Sequence, residues 1–174
     1  MTPMRHAHDD AQDGFDRRAY RTALGHFPTG VTILTARAAT GEAVGLTVTS
    51  FNSVSLRPPL ILWSLGAHSP NLPLFRDCRH YAVNVLAADQ AALAHRFGSS
   101  VARKFDGVAW REGLGGAPVL EGCAAHFECA NRARHDGGDH VIFVGEVERF
   151  ASFHRAPLVY ARSAYHRVGE VVGK

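Results

Sequence analysis

Two long alternating runs, AAHFECANRARH (residues 124–135) and HVIFVGEVERF (residues 140–150), flank the tetrapeptide DGGD. Alternation of apolar and polar residues gives each run one inward face, and Asp-Gly-Gly-Asp between them marks a tight hairpin. A hairpin alone is marginal in water, so other strands must cover it. The chain supplies them. VTILTARA (31–38) alternates and is β-branched, ATGEAVG (39–45) reads as a turn, and LTVTSFNSVS (46–55) continues as strand or extended chain. PPLILWSL (58–65) makes another strand, with Pro58 and Pro59 at its start because neither can donate to a ladder. HYAVNVLA (80–87) is a strand by alternation, and LVYARSAYHRVG (158–169) reads as one short closing strand.

Helices are few and short. FDRRAYRTALGHF (15–27) spaces Phe15, Ala19, Leu24 and Phe27 on one apolar face, and Pro28 with Gly30 stops it. In HSPNLPLFRDC (68–78), Ser69 is the expected N-cap and Pro70 the first helical residue. Asp89 is placed to cap QAALAHRFG (90–98), whose Leu93 and Phe97 share a face. SSVARKFDGVAW (99–110) is looser, and Gly113 to Gly116 is a break. Six or seven mostly antiparallel strands with two or three short helices predict a mainly β fold, a closed or partly closed barrel with helical decoration. Strands do not alternate with full-length helices and no G-x-G-x-x-G occurs, which disfavours a doubly wound parallel sheet. Residues 1–14 are polar and acidic and read as a mobile tail, leaving one domain over residues 15–170.

Charge and cysteine content narrow the partners. Net charge is +3 with histidines neutral, and the basic residues are scattered rather than gathered in a nucleic-acid stripe. The longest apolar run, around Leu60 to Trp63, is far too short to span a bilayer. Arg17-Arg18 is followed by polar and aromatic residues, not by the apolar segment of a twin-arginine signal. Cys78, Cys123 and Cys129 form no C-x-x-C pair and no even framework, so reduced thiols in the cytoplasm are expected. His6 and His8 suit a solvated tail, and no H-E-x-x-H or similar spacing supports a metal site.

The candidate chemistry lies in residues 47–55. Thr47, Thr49, Ser50, Ser53 and Ser55 crowd there, with Val48, Phe51 and Val54 between them. Backbone groups and hydroxyls along such a stretch can bond a polar uncharged ring, a sugar alcohol or a phosphate; the same residues also suit an ordinary strand and its end. GAHSPN (66–71) offers a helix start to an anion, or is a plain capped connection. RKF (103–105) can grip phosphate or stack on a base, or is a solvated turn. His140, after the DGGD turn, stands at the barrel rim, where it can bond a substrate amide, move a proton, or simply face solvent. There is no G-x-S-x-G nucleophile and no evident carboxylate pair, so the chemistry is expected of a bound cofactor.

Six segments in order, FPTGVTILTA, GLTVTSFNSVSLRPPLILWSL, HSPNLPLF, YAVNVL, KFDGV and GDHVIFVGEV, resemble the short-chain flavin reductases, the reductase components of two-component flavin-dependent monooxygenases. The resemblance implies an FMN-binding split β-barrel, a homodimer with flavin near the subunit interface. It implies that Thr47, Val48, Thr49 and Ser50 follow the isoalloxazine edge, and that Ser53, Val54 and Ser55 address the ribityl chain and phosphate. Pro28 and Thr29 would line the ring. Ser69, Lys104 and Phe105 would hold the phosphate end, Asp139 and His140 would meet the nicotinamide, and Tyr165 with His166 would contribute from the C-terminal segment. Two positions depart from the family pattern. Arg57 precedes the double proline where an acidic residue is frequent, and RSAYH stands where GRYH is common.

The implied activity is hydride transfer from NADH, with NADPH as the alternative donor, to FMN or FAD. Positioning is its main device, His140 orients the carboxamide, and backbone N–H groups near Thr49 and Ser50 stabilise charge on the reduced ring. Reduced flavin then serves a separate monooxygenase. The rival readings are a tight flavin-binding electron carrier or ferric reductase of the same fold, and a flavin- or haem-binding module without activity. A pyridoxamine-phosphate oxidase relative would need phosphate-binding basic residues that the chain lacks.

Overall fold

The hairpin at DGGD is the spine of the fold. The computed structural model describes residues 15–173; the expected tail, residues 1–14, lies outside them. Along the chain, α1 (Arg17–Leu24) is followed by β1 (Thr29–Gly30), β2 (Thr32–Arg37), β3 (Ala43–Val48), β4 (Asn52–Leu56) and β5 (Pro59–Gly66). Then come α2 (Leu72–Asp77), β6 (His80–Val85), α3 (Ala91–Gly98), β7 (Trp110–Glu112), a 3-10 turn at Leu114–Gly116 and β8 (Pro118–Leu120). The long pair β9 (Ala125–Gly137) and β10 (His140–Ser152) precedes β11 (Leu158–Ala161) and β12 (Ala164–Arg167).

β9 and β10 pair from Ala125↔Ser152 to Gly137↔His140, so only Gly138 and Asp139 turn the chain. Gly138 sits at φ +73°, the left-handed region such a turn demands. Around this pair a seven-stranded antiparallel sheet forms in the order β3-β2-β6-β9-β10-β5-β4. Bulges at Val144/Gly145 and Val147/Arg149 raise its twist. The sheet curls but does not close by a ladder: β3 and β4 remain its edges, joined through residues 49–51. It is a split barrel, mainly β and mostly antiparallel as expected.

Trp63 fills the barrel's centre. Its ring stacks on Phe143 at 4.5 Å and 11° and meets Phe75 and Tyr81 edge-on at 5.0 and 5.6 Å, all four residues being fully buried. A Cβ on residue 145 would overlap the Tyr81 hydroxyl, so the bulge needs glycine there. A second apolar cluster, including Val31, Leu86, Phe97 and Leu158, packs beneath α3. The cysteines are free, and burial pushes the thiols of Cys78 and Cys123 up to about 11.

Several local expectations are corrected. The described residues hold twelve strands, because β1, β7, β8, β11 and β12 are two to four residues long and too short to show a period. LVYARSAYHRVG is a hairpin, not one strand. Arg162 and Ser163 turn it at φ 49° and 62°, conformations that non-glycine side chains do not announce. Its first strand pairs with β1, making a separate three-stranded sheet. α2 is capped by Asn71, not Ser69, with Pro73 rather than Pro70 in its first turn, because residues 66–72 form turns first: Ser69 N–H bonds Gly66 O and Leu72 N–H bonds Ser69 O. α3 starts after Gln90, since the Asp89 carboxylate pairs with Arg155 instead of capping. The apolar face of α1 meets no core: Phe15, Leu24 and Phe27 are exposed.

One charged group is buried against the spine. Glu128, 2 % exposed, accepts hydrogen bonds from Arg111 Nη2 at 3.0 Å and from Leu114 N at 2.8 Å. The same guanidinium nitrogen lies 3.1 Å from His126 Nε2. The cluster pins β7 and the 3-10 turn across β9. Burial alone would raise the Glu128 pKa, but the Leu114 N–H and the Arg111 charge outweigh it and hold the carboxyl below its ordinary range. A depressed folded pKa gives stability that is present at neutral pH and lost as pH falls through that pKa. Glu128→Gln is therefore expected to cost about 1–3 kcal/mol at neutral pH, with the gap to the parent closing under acid. Urea unfolding of both proteins along a descending pH series measures it; a gap constant with pH would contradict the assignment.

Candidate functional site

The end of β3 carries the hydroxyl-rich stretch into a cavity of about 400 Å³. Leu46 to Ser50 line it from β3 and the link that follows. Ser64, Leu65 and Gly66 contribute from β5, His140 from the start of β10, and Tyr160 and Tyr165 from the β11–β12 hairpin. Thr47, Val48, Thr49, Ser50, His140 and Tyr165, singled out from the sequence, thus share one hollow.

Two of the hydroxyls are structural. Ser50 Oγ accepts from Ser64 N at 2.9 Å and donates to Ser64 O at 3.1 Å, tying the two sides of the barrel where no ladder joins them. Thr47 Oγ1 donates to Ala94 O on α3 at 2.8 Å. Thr49 and Ser50 lie between β3 and β4, so their backbone groups are outside either ladder. His140 is half exposed, and its Nδ1 lies 2.7 Å from Asp139 Oδ1. That hydrogen bond and the imidazole's charge hold the Asp139 carboxyl below its ordinary value. With Nδ1 committed to Asp139, Nε2 is the nitrogen left for a ligand.

Other expected residues stand apart from this cavity. Thr29 pairs with Tyr160 across the β1–β11 ladder and so backs the lining, as does its neighbour Pro28 at one remove. Ser53 and Val54 are exposed on the edge strand β4, and Ser55 Oγ accepts from Arg57 N at 3.2 Å. Ser69 is part of the 66–72 turns: its Oγ accepts from Asn71 N at 3.3 Å, while Ala67 N donates to Asp139 O at 2.8 Å. These N–H groups are committed within the chain. Lys104 and Phe105 line a second hollow of about 390 Å³ with Gly45 and Asn71. Lys104 Nζ donates to Phe97 O at 2.8 Å, and burial lowers its pKa; Phe105 meets Phe97 edge-on at 5.0 Å. His166 Nε2 lies 3.1 Å from Ala161 O within its own hairpin.

Ser64, Gly66 and Tyr160 were not singled out from the sequence. On β5, Ser64 and Gly66 alternate with buried Trp63 and Leu65, a pattern that marks them as facing away from the core. Tyr160 is brought in by the hairpin that the sequence did not reveal.

Among the described residues, backbone, hydroxyls, the apolar side chains of Leu46, Val48 and Leu65, two phenol rings and one imidazole line the hollow, and no lysine, arginine or carboxylate does. A planar, neutral, hydrogen-bonding heterocycle such as a flavin ring fits that lining. Residues 24–169 match the family model described as flavin reductase like domain. The chain belongs to this family. Among members of the flavin reductase family, it is 46% identical over 154 residues to "FMN reductase (NADH) SmoA" of Agrobacterium fabrum, covering 88% of this chain and 87% of that one. It is 38% identical over 156 residues to "Flavin-dependent monooxygenase, reductase subunit HsaB" of Rhodococcus jostii, covering 89% and 80%. The solved structure of the Streptomyces globisporus NADH:FAD oxidoreductase SgcE6, in complex with NAD and FAD fragments, superposes with a TM-score of 0.84 at 37% identity, covering 88% of this chain and 93% of that one. Among the described residues no group of three or more His, Cys, Asp or Glu is placed to hold a metal ion, and no helix is long and apolar enough to cross a membrane.

The Ser50 bridge makes a prediction specific to this reductase-like fold. Ser50→Ala removes both bonds and is expected to cost about 1–3 kcal/mol of stability, whereas Ser53→Ala on the exposed edge should stay within about 0.5 kcal/mol of the parent. Chemical unfolding of the two variants compares them directly.

Proposed function

We propose that this chain is an NADH-dependent flavin reductase that reduces FMN or FAD and supplies the reduced flavin to a separate monooxygenase. The observation that carries the proposal is the uncharged hydroxyl-and-backbone hollow at Thr47–Ser50 with His140 on its rim. The relatives' names, FMN reductase (NADH) and reductase subunit of a flavin-dependent monooxygenase, support the same conclusion.

Bound flavin supplies the acceptor for the hydride that NADH gives up; the protein's residues bind and orient. The backbone N–H groups of Thr49 and Ser50 bond the ring edge and stabilise negative charge on it as fixed donors. Val48 and Tyr165 line the ring, with Pro28 and Thr29 behind. Asp139 fixes the His140 imidazole, and His140 Nε2 orients the nicotinamide carboxamide. Ser53, Val54, Ser55 and Ser69, with Lys104 and Phe105 at the second hollow, would hold the sugar–phosphate end. NADH is favoured over NADPH because the relative 46% identical to this chain is named an FMN reductase (NADH).

A homodimer belongs to the same proposal. The exposed apolar residues of the α1 region, Phe15, Leu24 and Phe27, and Leu56 at 91 % exposure on β4 are surfaces that a second copy would cover. Three free cysteines accord with a cytoplasmic location.

The test is oxidation of NADH by purified protein with and without added FMN or FAD, followed by the absorbance of the reduced nicotinamide. Oxidation that needs free flavin and saturates in it is the expected result. A protein that holds flavin but leaves NADH untouched would overturn the enzymatic proposal. His140→Ala is expected to raise KM for NADH roughly three- to tenfold, the worth of one hydrogen bond, with flavin affinity unchanged. An unaltered KM removes His140 from the nicotinamide site.

A further inference from the structure

Two adjacent residues of α3 hold two separate linings of the ring hollow. The carbonyl of Ala94 accepts the Thr47 hydroxyl at 2.8 Å, on β3. The next residue, His95, meets the Tyr165 ring edge-on, with centroids 4.8 Å apart and planes at 79°, on β12. Thr47 and Tyr165 both line the hollow. Yet β3 belongs to the seven-stranded sheet and β12 to the three-stranded one, and no ladder joins those sheets among the described residues. β11 is held at its start, where Leu158 N donates to Leu86 O at 2.8 Å and Ala87 bridges Pro157, which leaves the outer strand β12 to be fixed by another contact.

α3 touches both β3 and β12, and its packing explains how. Ala94 and Phe97 are buried and fix the helix on the core, while His95, one position round from Ala94, is exposed to solvent except where it meets Tyr165. Tyr165 in turn packs on Tyr160, with centroids 5.4 Å apart and planes at 57°, so one contact braces both phenol rings. Thr47 is held from the other side, its β-branched side chain kept in one rotamer by the bond to Ala94 O.

We infer that His95 is a positioning residue: through Tyr165 it holds the Tyr160–Tyr165 pair at a fixed distance from Thr47, so that α3, together with the backbone bonds that anchor β11, sets the width of the slot that receives a planar ring. An aromatic wall held in place before binding loses less conformational freedom when the ligand arrives. An edge-to-face contact carries that restraint without a charge and without burying His95. The inference rests on the proposal that the hollow takes flavin.

Titration of FMN against the purified protein, read by the quenching of flavin emission, tests both in separable arms. The parent is expected to bind FMN and quench it. His95→Ala is expected to bind FMN roughly three- to tenfold more weakly, the range that one aromatic pair contributes, with less quenching in the bound state. In turnover the loss should fall on KM for FMN rather than on kcat. His95→Phe, which keeps a ring edge and loses the imidazole, is expected to restore affinity and quenching. Parent protein that binds no FMN overturns the flavin proposal itself. Parent binding with His95→Ala indistinguishable from it overturns the role of His95 alone, and failure of His95→Phe to restore binding overturns the ring contact as the cause. Because His95 is exposed, the unfolding midpoint of each variant should stay near the parent's, so weaker binding is not loss of fold.

Discussion

The hydroxyl of Ser50 does at the seam of the barrel what a strand ladder does elsewhere. It both accepts from and donates to the backbone of Ser64, so one side chain carries the attachment to β5 past the point where the β4–β5 ladder stops at Asn52 and Leu62. Phe51, the next residue, stacks on Phe127 at 5.6 Å and secures the same crossing from the apolar side. A continuous ladder here would have used up the main-chain donors of the crossing segment. A side-chain tie leaves them for a ligand. The opening in the barrel and its binding capacity thus have one cause.

Charge is distributed in keeping with that arrangement. Among the described residues, no lysine, arginine or carboxylate lines the ring hollow. The carboxylate of Glu128 is buried on the spine and fully engaged by Arg111 and Leu114. Lys104 is kept one hollow away, its ammonium already bonded to the end of α3. A neutral ring is thereby received without desolvating a fixed charge, while an anionic group finds the Lys104 cation at the second hollow, which β3 also lines.

How much of this the sequence discloses depends on element length. The thirteen-residue strands of the central hairpin repeat their alternation often enough to be unmistakable, and DGGD supplies the turn. Thr47 to Ser50 stand out by chemistry alone. Tyr160 does not, because the turn that presents it uses Arg162 and Ser163 in a conformation usually signalled by glycine. Ser69 and Asp89 are misleading for another reason. Each has the right residue type for a cap, but Ser69 is taken up by the turns of residues 66–72, and the partner of Asp89, Arg155, is brought in by folding at a distance that local patterns do not encode. The α1 region shows the converse: its apolar spacing is real, yet among the described residues nothing buries Phe15, Leu24 or Phe27.

Strand β3 passes both hollows, with Gly45 in one and Thr47 in the other. Gly45 can lie there only because it has no side chain: a Cβ would come within 2.7 Å of Phe97. Two residues of strand advance about 7 Å. The strand is in effect a ruler. A molecule that occupies both hollows must be elongated, with a flat neutral head and its negative end at least that far along.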